Sequence, residues 1–112
     1  MNRREFGEFG ENIAVQYLEN DGYKIICRNY RCRSGEIDII AGKHDRLSFI
    51  EVKTRSSFEY GRPCESVDDR KKKHIRAAAM SYLREMKASG YAPVDIRFDV
   101  MEVTIEHIGN AF

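Results

Sequence analysis

Hydrophobic and polar positions along this chain change period from one segment to the next, and the changes divide it into the order α-β-β-β-α-β. From Arg3 to about Asn20 apolar residues recur at helical spacing. Phe6, Phe9, Gly10, Ile13, Ala14, Tyr17 and Leu18 fall on one broad arc, which predicts the buried side of a first helix. Glu8, Asn12, Gln16 and Glu19 fall opposite, on the wet side. Asp21-Gly22 supplies the stop. Glu11 stands apart from the other acids. It lies at the edge of the apolar arc, where it either turns toward the fold or snorkels to water.

After the helix the period drops to two. Tyr23 to Tyr30 reads as a strand, with Ile25 and Ile26 at its middle. Two more strands follow, Gly35 to Ala41 and Ser48 to Thr54. Gly42 to Leu47 between them suits a tight hairpin. A turn centred on His44 and Asp45 sets Asp38 opposite Glu51 and Glu36 opposite Lys53. Arg55 to Glu65 is then a long polar connection containing Gly and Pro. Its aromatics Phe58 and Tyr60 are read as packing in a lid or core rather than as base-stacking groups. Ser66 is expected as the N-cap of a second helix, with Asp69 three residues on. That helix extends to about Ser89 and is closed by Gly90. Ile75, Ala78, Ala79, Tyr82, Leu83 and Met86 form its core stripe. Lys71 continues the stripe toward the sheet, whereas Lys72, Lys73 and Arg76 face outward. Pro93 leads into a last strand, Val94 to Thr104, with Ile96, Phe98 and Val100 on one face. The segment Ile105 to Phe112 shows no clear period. The whole order predicts one α/β domain, residues 1–112, with a central mixed sheet flanked by helices. Its last strand-helix-strand unit is expected to be right-handed if the strands are parallel.

Composition bounds the class. Of 112 residues, 42% are hydrophobic and 33% charged, which suits a single soluble globular domain. No apolar run approaches the length of a membrane span, and no apolar segment follows Met1-Asn2-Arg3-Arg4 as a secretory signal would. Cys27, Cys32 and Cys64 are odd in number and lack CxxC spacing, so neither a disulfide framework nor a zinc site is expected, and a reduced, cytoplasmic chain is. The net charge of +1 says nothing for nucleic acid by itself. Its distribution says more. Arg28, Arg31 and Arg33 cluster before the second strand, and Arg70 to Arg76 holds Lys71, Lys72 and Lys73. Such stripes suit phosphate binding, and they also suit an ordinary solvated surface.

The hairpin carries the candidate chemistry. In the predicted register two carboxylates, Asp38 and Glu51, meet across the strands beside Lys53. Like charges placed opposite one another on a sheet repel. A hard divalent cation bound by both carboxylates resolves the conflict. An exposed hairpin with Glu36 and Lys53 as a cross-strand pair is the plainer alternative.

The motifs taken together resemble a known family. Gly7-Glu8-Phe9-Gly10-Glu11 with Ala14 and Tyr17-Leu18, Arg28-Asn29-Tyr30-Arg31-Cys32, Gly35-Glu36-Ile37-Asp38-Ile39-Ile40, Phe49-Ile50-Glu51-Val52-Lys53-Thr54-Arg55, Lys71 and Arg97-Phe98-Asp99-Val100 look like the YraN family of small bacterial proteins. That family in turn resembles the PD-(D/E)xK nucleases, above all Holliday junction resolvases. The resemblance implies a restriction-endonuclease-like αβββαβ core and hydrolysis of phosphodiester bonds in DNA, including branched DNA. Carried over residue by residue, the catalytic set is Glu11, Asp38, Glu51 and Lys53. Ile37 stands where the superfamily motif has proline. Asp38, Glu51 and the carbonyl of Val52 would hold Mg²⁺ or Mn²⁺, Lys53 would act on the attacking hydroxide or on transition-state charge, and Glu11 would support the metal. Lys71, Lys72, Lys73, Arg28, Arg31 and Arg33 would contact nucleic acid. Junction-resolving relatives act as dimers, so a homodimer is compatible with the resemblance. The alternative function is a nucleic-acid-binding module of the same fold with little or no catalysis.

Overall fold

The computed structural model describes residues 1–56, 67–93 and 95–112. Along them run α1 (Arg3–Asn20), β1 (Lys24–Cys32), β2 (Gly35–Lys43), β3 (Arg46–Ser56), α2 (Asp69–Ala88) and β4 (Asp95–Ile105). The sheet order is β1-β2-β3-β4. The first two pairings are antiparallel and the last is parallel, as the helical crossover between β3 and β4 allows. The arrangement is the mixed αβββαβ sheet flanked by two helices that the pattern predicts.

The hairpin follows the predicted alignment as far as its ladder runs, and the ladder stops short of the expected Asp38–Glu51 and Glu36–Lys53 oppositions. Lys43 pairs with Arg46 and Ile39 with Ile50, which leaves His44 and Asp45 as a two-residue turn. His44 takes a φ of 53°, as such turns require.

Each helix covers one face of the sheet. On one side Ile37, Ile40, Leu47 and Phe49 pack with Ile75, Ala78, Ala79 and Tyr82 of α2. Phe49 is fully buried, with Tyr82 edge-on at 6.0 Å and Phe98 stacked at 5.5 Å. On the other side Ile39, Ala41 and Ile50 pack with Ala14 and Leu18 of α1. Among the described residues no helix is long and apolar enough to cross a membrane.

Three expectations are corrected. The buried arc of α1 is much narrower than its apolar arc: Phe9, Ile13 and Tyr17 stay exposed, Tyr17 by 63%. The helix meets the sheet through its small residues. A Cβ on Gly10 would lie 1.8 Å from Thr54 Oγ1, so the backbones of α1 and β3 approach closely there. Second, the N-cap of α2 is Asp68, whose carboxylate accepts the Lys71 N–H at 2.8 Å. Ser66, expected in that role, lies outside the described residues, as do Phe58, Tyr60 and Cys64. Third, strict alternation fails in β2. Ile37 packs against α2 but Ile39 packs against α1, so the sidedness changes across Asp38.

Candidate functional site

The break in alternation is what builds the site. Two residues apart on a regular strand, Ile37 and Ile39 would share a face. The matching irregularity lies on β1, where Arg28 pairs with Ile39 and Tyr30 with Ile37, leaving Asn29 between them across from Asp38. Asn29 has a φ of 53°. Asparagine is among the few residues that take this left-handed conformation readily. The β2–β3 ladder ends at Ile39↔Ile50, and the next link is made by a side chain. The Val52 N–H donates to Asp38 Oδ2 at 2.8 Å. In extended backbone the N–H and C=O of one residue point to the same edge, so the Val52 carbonyl is directed to the Asp38 side as well.

Glu51 continues the Leu47–Phe49 side of β3 and is 6% exposed. Its carboxylate is ion-paired with Lys71 Nζ of α2. The sequence placed Lys71 on the extension of the helix's buried stripe, and it is there that helix and sheet meet. Asp38 feels both groups. Burial pushes its carboxyl up, the Val52 N–H pulls it down, and the Glu51 charge and hydrogen bond push it up again, with a smaller opposite pull from Lys71. The outcome is a carboxyl pushed up to about 6 from the ordinary 3.8. Burial lowers the Lys71 ammonium, but the bond to Glu51 and the charges of Glu51, Asp38 and Glu36 outweigh it and leave its pKa above normal.

Glu11 does turn into the fold, at 8% exposed. Its Oε1 accepts from Arg28 Nε at 3.0 Å and from Asn29 Nδ2 at 3.3 Å. Arg28 also donates to Asn12 at 2.7 Å. Glu11 thereby anchors the left-handed residue that faces Asp38. Neither Arg28 nor Asn29 was read as a support of the site. The signal available was an asparagine in mid-strand next to an arginine.

A cleft of about 440 Å³ brings together Glu11, Asp38, Glu51, Val52, Lys53 and Lys71, with Arg3 at the N-terminal turn of α1. It holds every residue expected to be catalytic or metal-ligating. The expected nucleic-acid contacts divide differently. Lys72 lines a separate groove beside Glu51, with Arg76 and Phe98. Lys73 and Arg33 are exposed. Arg31 pairs with Glu36 at 3.3 Å, so Glu36 takes an arginine rather than Lys53 as its surface partner, and Arg28 is committed to Glu11.

The donor set fits a hard divalent ion in chemistry: two carboxylates and one carbonyl, all oxygen, at the fork between β2 and β3. The raised pKa of Asp38 reflects its burial first and the neighbouring Glu51 charge second. Among the described residues no three His, Cys, Asp or Glu side chains converge as a ready-made cage.

Comparison with known proteins returns one family. The model for the uncharacterised protein family UPF0102 matches residues 10–103. A UPF0102 protein of Clostridioides difficile is 47% identical over 117 aligned positions, covering 100% of both chains. One from Alkaliphilus metalliredigens is 45% identical, covering 97% of this chain and 98% of its own. One from Caldicellulosiruptor saccharolyticus is 43% identical, covering 92% and 85%. These names state a family and no activity.

Proposed function

We propose that this chain, which belongs to the uncharacterised protein family UPF0102 that its motifs resemble under the name YraN, is a divalent-metal-dependent endonuclease acting on DNA in the cytoplasm. The observation that carries the reading is the convergence of Glu11, Asp38, Glu51, Val52, Lys53 and Lys71 on one cleft. The resemblance to PD-(D/E)xK nucleases adds the reaction and the substrate class.

Asp38, Glu51 and the Val52 carbonyl would hold Mg²⁺ or Mn²⁺, which supplies Lewis acidity toward a phosphate oxygen and acidity to a bound water. The chain's own groups do the rest. The Asp38 carboxylate is held at Oδ2 by the Val52 N–H. Lys53, on the same cleft, provides a cation for charge that develops in the transition state. Lys71 holds Glu51 in place and, sitting in the first turn of α2, offers its ammonium and the helix N-terminus to a phosphate. Glu11, through Asn29, keeps β1 in the conformation that leaves Asp38 out of the ladder.

One observation favours the second reading, a nucleic-acid-binding module with little catalysis: Lys71 already neutralises Glu51 without a metal. The deciding assay incubates the purified chain with Mg²⁺ or Mn²⁺ and labelled single-stranded, duplex, flap and four-way DNA. The expected result is cleavage by the wild type and none by Lys53→Ala, with binding of the same DNA retained. Binding draws on the distributed basic surface, whereas Lys53 acts on the transition state. No cleavage of any form by the wild type would leave the binding module as the better reading, and full cleavage by Lys53→Ala would overturn the role given to it.

A further inference from the structure

β4 is the last strand of the sheet, and its outer edge is unpaired among the described residues. Edge strands avoid pairing by being short, or through a bulge, a proline, charged side chains or a covering segment. Among the described residues β4 has only the charges of these, Asp95, Arg97, Asp99 and Glu102. β4 runs 11 residues, has neither proline nor lysine, and keeps unbroken register with β3 from Asp95 to Ile105. It is also apolar: Ile96, Phe98 and Val100 are 40, 49 and 41% exposed on one face. The Asp95 N–H bonds inward, to the Asp45 carbonyl at 3.1 Å. Ile96, Phe98 and Val100, alternating with it, therefore direct their N–H and C=O groups to the open edge.

We propose that this edge pairs antiparallel with the β4 of a second copy of the chain, with Phe98 opposite Phe98. The charges select both the occupant and the register. Centred on Phe98, the two-fold arrangement sets Arg97 of each copy opposite Asp99 of the other and Ile96 opposite Val100. Arg97 and Asp99 then form non-hydrogen-bonded pairs, the positions at which opposed side chains stand closest. Moving the centre to Arg97 would oppose Arg97 to itself and Asp95 to Asp99, and moving it to Asp99 would oppose Asp99 to itself. A centre at Ile96 would also join cation to anion, Arg97 to Asp95, but would pair only residues 95–97 of the strand, whereas the Phe98 centre pairs residues 95–101 and leaves Arg97 its bond to Asp95 of its own strand at 2.8 Å. The two sheets become one, with both α2 helices on the same side. This inference does not rest on the nuclease reading, since a chain without catalysis would pair in the same way.

The test is sedimentation of wild type, Arg97→Glu, Asp99→Arg and an equimolar mixture of the two variants. The wild type is expected to be dimeric at about 100 μM, where a Kd below roughly 10 μM leaves most of the chain paired. Each variant alone sets like charges opposite twice, and its association should weaken at least roughly tenfold. In the mixture Glu at 97 meets Arg at 99 and Asp99 meets Arg97, so the heterodimer should form again. That recovery also shows that the variants are folded. A wild type that stays monomeric, variants that dimerise as well as wild type, or a mixture that does not recover would each overturn the proposal.

Discussion

Asp38→Asn should stabilise the metal-free fold at neutral pH, although it alters a residue of the candidate site. The Asp38 carboxyl titrates near 6 in the folded chain, against 3.8 ordinarily. The folded state therefore holds this proton more tightly than the unfolded state. Stability is full below about pH 4, falls as pH rises between the two values, and stays reduced above about pH 6. At about 1.4 kcal/mol for each tenfold change in acidity, the loss is at most about 3 kcal/mol. Asparagine copies the protonated carboxyl: its oxygen accepts the Val52 N–H, and its amide donates toward Glu51. The assay is urea unfolding of wild type and variant in EDTA at pH 4 and pH 8. At pH 8 the midpoint of the variant should lie higher, by roughly 1 M or more for a slope of about 1–2 kcal/mol per molar. At pH 4 the two should nearly coincide. A variant less stable than wild type at pH 8, or a gap equally wide at both pH values, would refute the argument. Saturating Mn²⁺ should then reverse the order at pH 8, because it stabilises only the chain that binds it.

Gly10→Ala should destabilise the fold by about 1–3 kcal/mol, since the new methyl meets Thr54 and neither backbone can retreat easily; thermal melts with and without Thr54→Gly check that the clash is the cause. Arg28→Ala should cost about 1–3 kcal/mol by leaving the Glu11 carboxylate short of its charged donor, and Arg28→Ala with Glu11→Gln should recover part of it in the same melts. If the chain binds DNA, affinity should fall steeply with salt, and removing the charges of Lys71, Lys72 and Lys73 should flatten that slope in fluorescence anisotropy titrations. An unchanged slope would mark these lysines as ordinary solvated surface.

Local pattern was enough to order the elements and to set the hairpin register, because each depends on neighbours in the chain. Helical and strand periods are fixed by backbone geometry, and a two-residue turn at His44-Asp45 permits one alignment of β2 with β3. Asp38, Glu51 and Lys53 were legible for that reason, and Lys71 because it continues a helical stripe by one turn. The side to which Glu11 turned was left open by the pattern and settled by Arg28 and Asn29, which reach it from β1 across 17 and 18 residues of chain. The change of sides at Asp38 was not legible either, since it lies across from a left-handed residue on another strand, a juxtaposition that only pairing creates. Coverage was the largest divergence. Phe9, Ile13 and Tyr17 lie on an apolar arc, and Ile96, Phe98 and Val100 alternate as core residues would, yet all are exposed. Periodicity states which residues share a face. How much of that face is covered depends on the footprint of a helix held close by Gly10, and on which strand ends the sheet, and only the assembled structure decides both.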